Sequence, residues 1–203
     1  MPAPDPPVIS GAVEGAVDES VLRRLVGHAG ATLGVVYGKN GKPSLRRGIQ
    51  GYNAAAHWAP WVVLVDLNHD ADCAPPFRAQ WLPNPAQGMC FRAVVREIEA
   101  WLFADRERLA RFLRVPQSRI PLDPEAVEYP KQTMVNIARH SRRREIREDM
   151  IPRPRSGRQV GPAYTSRLVE FTETEWRPAV AAENSDSLRR CLARLRHLIE
   201  ADP

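Results

Sequence analysis

Two short apolar runs, each ending on a carboxylate, constrain this chain more than any other feature. Val8-Ile9-Ser10-Gly11-Ala12-Val13 runs into Glu14-Gly15, and Trp61-Val62-Val63-Leu64-Val65 runs into Asp66-Leu67-Asn68-His69-Asp70. Both runs are too short for helices and rich in β-branched residues, so they read as strands buried on both faces. In an open α/β sheet ligands sit beyond the carboxyl ends of such strands. Carboxylates at neighbouring strand ends repel unless a cation lies between them. The pattern therefore points to a hard divalent cation, Mg²⁺ or Mn²⁺, and to phosphate as the substrate group.

The segments around these runs support an α/β reading. Asp18 is a candidate helix cap, with Val17, Val21, Leu22, Leu25 and Val26 on one face of a helix through about Gly27. Leu33 to Tyr37 reads as a second strand and Met89 to Val95 as a fourth. Ser44 is placed to cap a helix from Leu45 to about His57. The proline-rich stretch 71–88 reads as a long surface loop, and 97–113 as one helix. This order predicts a mostly parallel sheet flanked by helices over 8–115. Residues 116–203 read as an arginine-rich, mainly helical extension packed on that core. Helices are expected over about 131–139, 163–171 and 187–199, and residues 152–161 are expected to form a loop.

Composition narrows the function classes. The chain has 203 residues and a formal net charge of +5. Nearly all the positive charge is arginine, since Lys39, Lys42 and Lys131 are the only lysines. That balance permits nucleic-acid binding without establishing it. The three cysteines are far apart, which argues against a disulfide framework and for a reducing, cytoplasmic setting. The N-terminal proline-rich lead-in lacks the basic-then-apolar pattern of a signal peptide. No apolar run is long enough to cross a bilayer, so no membrane partner is expected. The sequence leaves open whether the chain forms an oligomer.

Candidate site residues follow from the strand ends. Glu14 is a candidate metal ligand and general acid/base. Asp66, Asn68 and Asp70 alternate, so extended backbone would turn all three to one side. Glu99 is a candidate third acidic wall, with Glu97 ranked below it and Asp18 held as a further ligand. Asp72 reads as solvent-facing. Gly38-x-x-Gly41-Lys42 is a loop whose N–H groups are candidates for phosphate contact, although it lacks P-loop spacing. Lys39, Lys42, Arg142, Arg143 and Arg144 are candidate nucleic-acid contacts. His69 and His140 have no partners at zinc spacing.

Val13-Glu14-Gly15-x-x-Asp18 followed by Val63-Leu64-Val65-Asp66-x-Asn68 resembles the Toprim fold of topoisomerases, DnaG-type primases and OLD-family nucleases. The segment Glu99-Ala100-Trp101-Leu102-Phe103-Ala104-Asp105 resembles more closely a family of Toprim-related bacterial proteins of similar length. The resemblance implies Glu14 as catalytic acid/base and Asp66 with position 68 as Mg²⁺ holders. It also implies work beside an ATPase in phage defence. This chain departs from the motif at one place, carrying Asn68 where the motif has Asp.

The leading expectation is a Mg²⁺-dependent, Toprim-like nuclease. The alternative is a catalytically weak or inactive binding subunit that partners an ATPase. A phosphoacceptor role for Asp66 ranks last, because it requires a lysine at the end of a later strand.

Overall fold

In the computed structural model, which describes residues 5–200, four parallel strands form one sheet in the order β2-β1-β3-β4. The strands are β1 (Val8–Val13), β2 (Thr32–Gly38), β3 (Trp61–Asp66) and β4 (Met89–Val94). The order is Rossmann-like. The chain winds from β1 to one edge, returns beside β1 as β3, and ends at the other edge as β4. This leaves a crevice beyond the carboxyl ends of β1 and β3, where the winding reverses. The lead-in expected before Val8 lies partly outside the described residues.

Strand alternation divides the core. Ile9, Val13, Val62, Leu64, Cys90 and Val94 face one side of the sheet, whereas Ala12, Val63, Val65, Phe91 and Ala93 face the other. The first side is covered by α1 (Ala16–His28) and by the C-terminal helices; the second by α2 (Gly41–Ala55) and α3 (Ala74–Trp81). β3 is buried along its whole length, which explains its unbroken apolar sequence. A Cβ at Gly11 would stand 2.7 Å from Leu22 Cδ2, so glycine there lets α1 lie close on the sheet.

Four expectations need correction. Helix α2 begins at Gly41, so Ser44 lies inside the helix rather than capping it. The stretch 71–88 is not a continuous loop. Pro75 and Pro76 occupy the first turn of α3, where a missing N–H costs nothing. The single helix expected over 97–113 is two, α4 (Ile98–Phe103) and α5 (Arg106–Leu113), divided where Asp105 caps α5. Asp18 is not a cap either, since it lies in the first turn of α1 and the cap position is Gly15.

The C-terminal part is helical: α6 (Pro130–Ala138), α7 (Arg144–Met150), α8 (Tyr164–Thr174), α9 (Pro178–Glu183) and α10 (Asp186–Glu200), with a 3-10 turn at Gln117–Arg119. The helix expected from Ser187 is α10, whose Leu188, Leu192, Leu195 and Leu198 are buried. α7 and α9 lie where the sequence pattern gave no helix. The core beneath this part is continuous with that beneath β1 and β4. Segment 97–105 ties the two parts together. Trp101 Nε1 donates to Ser187 Oγ at 2.7 Å, and Trp176 Nε1 donates to the Trp101 carbonyl at 3.2 Å. Asn184 Nδ2 donates to the Ala104 carbonyl at 3.1 Å. No described helix is long and apolar enough to cross a membrane.

Candidate functional site

The two acidic strand ends meet in the crevice. The backbone N–H of Asp66 donates to Glu14 Oε1 at 2.9 Å. Asp18 reaches the same place from the first turn of α1, and Glu99 from the first turn of α4. Asp18, Asp66 and Glu99 are all buried. Each keeps one fully buried carboxylate oxygen without a hydrogen-bond partner among the described residues: Asp18 Oδ1, Asp66 Oδ1 and Glu99 Oε2. Glu99 Oε1 is satisfied, accepting from the Tyr164 hydroxyl at 3.0 Å.

Burial and mutual repulsion hold these acids toward their protonated forms. Burial pushes Asp18 up to about 7, with Glu14 and Glu99 adding to the shift. Asp66 is raised well above the usual carboxylate range by burial and then by Asp18, Glu99 and Glu14. Burial also raises Glu99 and Glu14, against the pull of Lys131 on the first and of Lys42 on the second. Clustered acids held toward their protonated forms are a mark of functional sites.

The built-in positive charge is Lys131, in the first turn of α6. Its Nζ stands 3.8 Å from Glu97 Oε1 and 3.9 Å from Glu99 Oε1, and its backbone N–H donates to Glu97 Oε2 at 2.8 Å. Burial opposes the charge on Lys131, but Glu99, Glu97, Asp66 and Asp18 outweigh it and raise its pKa. Sequence reasoning missed both Lys131 and Tyr164. Neither belongs to a strand end, and no spacing ties them to Glu99.

The expected alternation of Asp66, Asn68 and Asp70 stops at the strand end. Asn68 has φ +50°, and Asp70 N–H closes a turn onto the Leu67 carbonyl. The Asn68 backbone is held by Arg96: its N–H donates to the Arg96 carbonyl at 2.8 Å, and its carbonyl accepts from Arg96 Nη1 at 2.9 Å. Asp70 instead pairs with Lys42 at 2.7 Å on the rim. The acidic set thus comprises Glu14, Asp18, Asp66 and Glu99, with Glu97 beside Lys131.

The basic candidates separate. Lys39 pairs with Glu19 at 3.1 Å. Two N–H groups of the glycine loop are used within the chain, since Lys39 N–H donates to the Val13 carbonyl and Gly41 N–H to the Glu14 carbonyl. Gly38, at φ +85°, fits against the Val13 carbonyl, which a Cβ would approach to 2.3 Å. Arg142, Arg143 and Arg144 follow the C-terminal end of α6, the opposite end from Lys131. The helix separates them by about 12 Å of axial rise. Arg144 is paired with Glu148 at 2.6 Å.

Among the described residues, no group of three or more His, Cys, Asp or Glu side chains is placed so that it could hold a metal ion. Each of the three unpartnered oxygens is by itself a hard, anionic donor of the kind Mg²⁺ or Mn²⁺ prefers. Comparison with family models, with curated proteins and with solved structures returned no match.

Proposed function

We propose that this protein is a divalent-cation-dependent phosphodiesterase acting on nucleic acid, with its site in the crevice between β1 and β3. One observation carries the reading: Asp18, Asp66 and Glu99 each bury a carboxylate oxygen that nothing in the described chain satisfies. A structural acid at such a place would be paired. Asp66, Asp18 and Glu99 would hold Mg²⁺ or Mn²⁺, which when bound supplies Lewis-acid polarisation of the phosphodiester. Glu14 moves the proton, because burial raises its pKa toward the working pH while the Asp66 N–H fixes its orientation. Lys42 and Lys131 supply positive charge on two sides of the substrate phosphate. The Glu14 and Asp66 motifs that resemble Toprim support the same chemistry, and a role beside an ATPase in phage defence is part of this proposal.

Plasmid nicking in Mg²⁺ or Mn²⁺ tests the reading, with wild type compared against Glu14→Gln and Asp66→Asn. Nicking by the wild type and loss of at least about a hundredfold in each variant is expected. Equal nicking by all three proteins sinks it.

A second reading rests on Lys131. Its ammonium already lies against Glu97 and Glu99, where it supplies a resident counter-charge in place of a metal. On that reading the protein is a non-catalytic binding subunit, and calorimetry with millimolar Mg²⁺ records no heat of binding.

A further inference from the structure

The strand β4 forms the edge of the sheet opposite β2. Its carbonyls at Gly88 and Val94 accept from Trp61 and Leu67 of the β3 side, which turns the even-numbered residues of β4 inward. Phe91 and Ala93 therefore aim their N–H and C=O groups outward. Neither backbone makes a hydrogen bond to any described group. Their side chains pack in the core, leaving the residues 5% and 6% exposed, and their outward backbone floors a slot between α3 and α10. The outward N–H and C=O groups face this slot as an unpaired strand edge, which is a ready template for one more strand.

The slot is strongly basic. Two adjoining cavities, of about 360 and 270 Å³, share Arg78, Phe91 and Arg92 and continue along the strand. Arg78 stands on the α3 wall, Arg92 on the floor, and Arg190 and Arg194 on the α10 wall. Arg78, Arg92 and Arg194 have no carboxylate partner among the described residues, and Arg92 Nε is buried without an acceptor. Arg194 donates only to the Gln87 carbonyl, at 3.1 Å. Against these four arginines the slot has two acids: Asp186, which pairs with Arg190 at 2.6 Å, and Glu125, whose Oε1 accepts from Ser185 Oγ and the Ser187 N–H.

We infer that this slot binds an acidic segment of a partner protein in extended conformation, which adds a fifth strand beside β4. The backbone decides between the two anionic polymers that arginines attract. An open strand edge alternates donors and acceptors, so it needs a partner that alternates too. A phosphodiester chain offers acceptors only and would set its oxygens against the Phe91 and Ala93 carbonyls. A polypeptide strand satisfies all four groups, and its side chains on alternate positions reach Arg92 and the arginines of the two walls. The inference does not depend on the acid cluster or its metal.

Amide NMR of the full chain is the test. The probe is a short capped peptide alternating valine with glutamate, compared with its valine–lysine counterpart, a backbone N-methylated copy and oligothymidylate. Titration of the acidic peptide to millimolar concentration is expected to shift the Phe91 and Ala93 amides and slow their hydrogen exchange. Ala93→Pro, which removes an outward-facing N–H and no ladder bond to β3, is expected to abolish binding. The surface double variant Arg78→Glu/Arg190→Glu keeps the test open should the proline variant fail to fold, and it is expected to weaken binding at least about tenfold. The inference is overturned if the acidic peptide leaves both amides unmoved. It is equally overturned if the lysine or N-methylated peptide binds as well, or if oligothymidylate moves the same amides more strongly.

Discussion

Asp105 and Asp66 are both buried aspartates at the ends of secondary elements, and they are treated in opposite ways. Asp105 accepts from Arg108 N–H at 3.4 Å and from Arg177 N–H, Nε and Nη2 at 3.0, 3.0 and 2.6 Å. Asp66 leaves Oδ1 buried and unpartnered, and the neighbours that raise its pKa are the acids Asp18, Glu99 and Glu14. A chain this rich in arginine had the means to pair Asp66 as it paired Asp105. Leaving four acids with only Lys131 and the rim Lys42 as counter-charge lowers stability, and such a cost persists where function depends on it.

The largest effect that can break this comparison comes from Asp105. Asp105→Ala strips the α5 cap and leaves Arg177 without its bidentate partner. A loss of about 3 kcal/mol in denaturant unfolding is expected, below the full cost of breaking a buried pair because Arg177 is partly exposed. Asp66→Asn is expected to leave stability unchanged or raise it. If the two variants unfold alike, the distinction between a structural and a functional acid is lost.

Asp18 sharpens the comparison through pH. Its folded carboxyl is pushed up to about 7 from the ordinary 3.8, so the folded chain holds a proton that the unfolded chain has released between those values. The more proton-rich folded state loses stability as pH rises through that window. Asp18→Asn removes the penalty. It is expected to stabilise the protein by about 2 kcal/mol near pH 8 and by almost nothing near pH 4, measured by urea unfolding at both. A gain that is the same at both pH values would show that Asp18 is not held short of charge.

What the sequence could show divides along the same line. β3 was legible because a strand buried on both faces reads as an unbroken apolar run, and β1 and β4 because only Ser10, Gly11 and Arg92 interrupt theirs. Glu14 and Asp66 were legible because they end such runs. Asp70 was misplaced because alternation holds only while the backbone stays extended, and Asn68 turns at φ +50°. α3 was hidden because prolines at a helix start look like prolines in a loop. Lys131 and Tyr164 were invisible because they reach Glu99 through the packing of α6 and α8, which no local spacing encodes. Asp105 gave no hint of Arg177, which lies 72 residues away in the sequence.

The smallest effect separates a metal from the resident lysine. With Mg²⁺ at ten times its dissociation constant, binding to the folded chain alone adds about 1.4 kcal/mol. In a chain of this size that raises the melting temperature by about 3 °C. The rise is expected near pH 8 and should shrink near pH 5, where protons compete for Asp18 and Asp66. Lys131→Met should enlarge it, because removing the ammonium leaves Glu99 with one cation fewer and the acid set with more need of another. If Lys131 is instead the counter-charge the site was built around, Mg²⁺ leaves melting unchanged at both pH values. Lys131→Met then simply destabilises the fold, because Glu97 and Glu99 lose the one ammonium that stands within 4 Å of them among the described residues. The direction of the Lys131→Met response in Mg²⁺ therefore decides whether the unpaired carboxylates beside Asp66 await an ion or already share one.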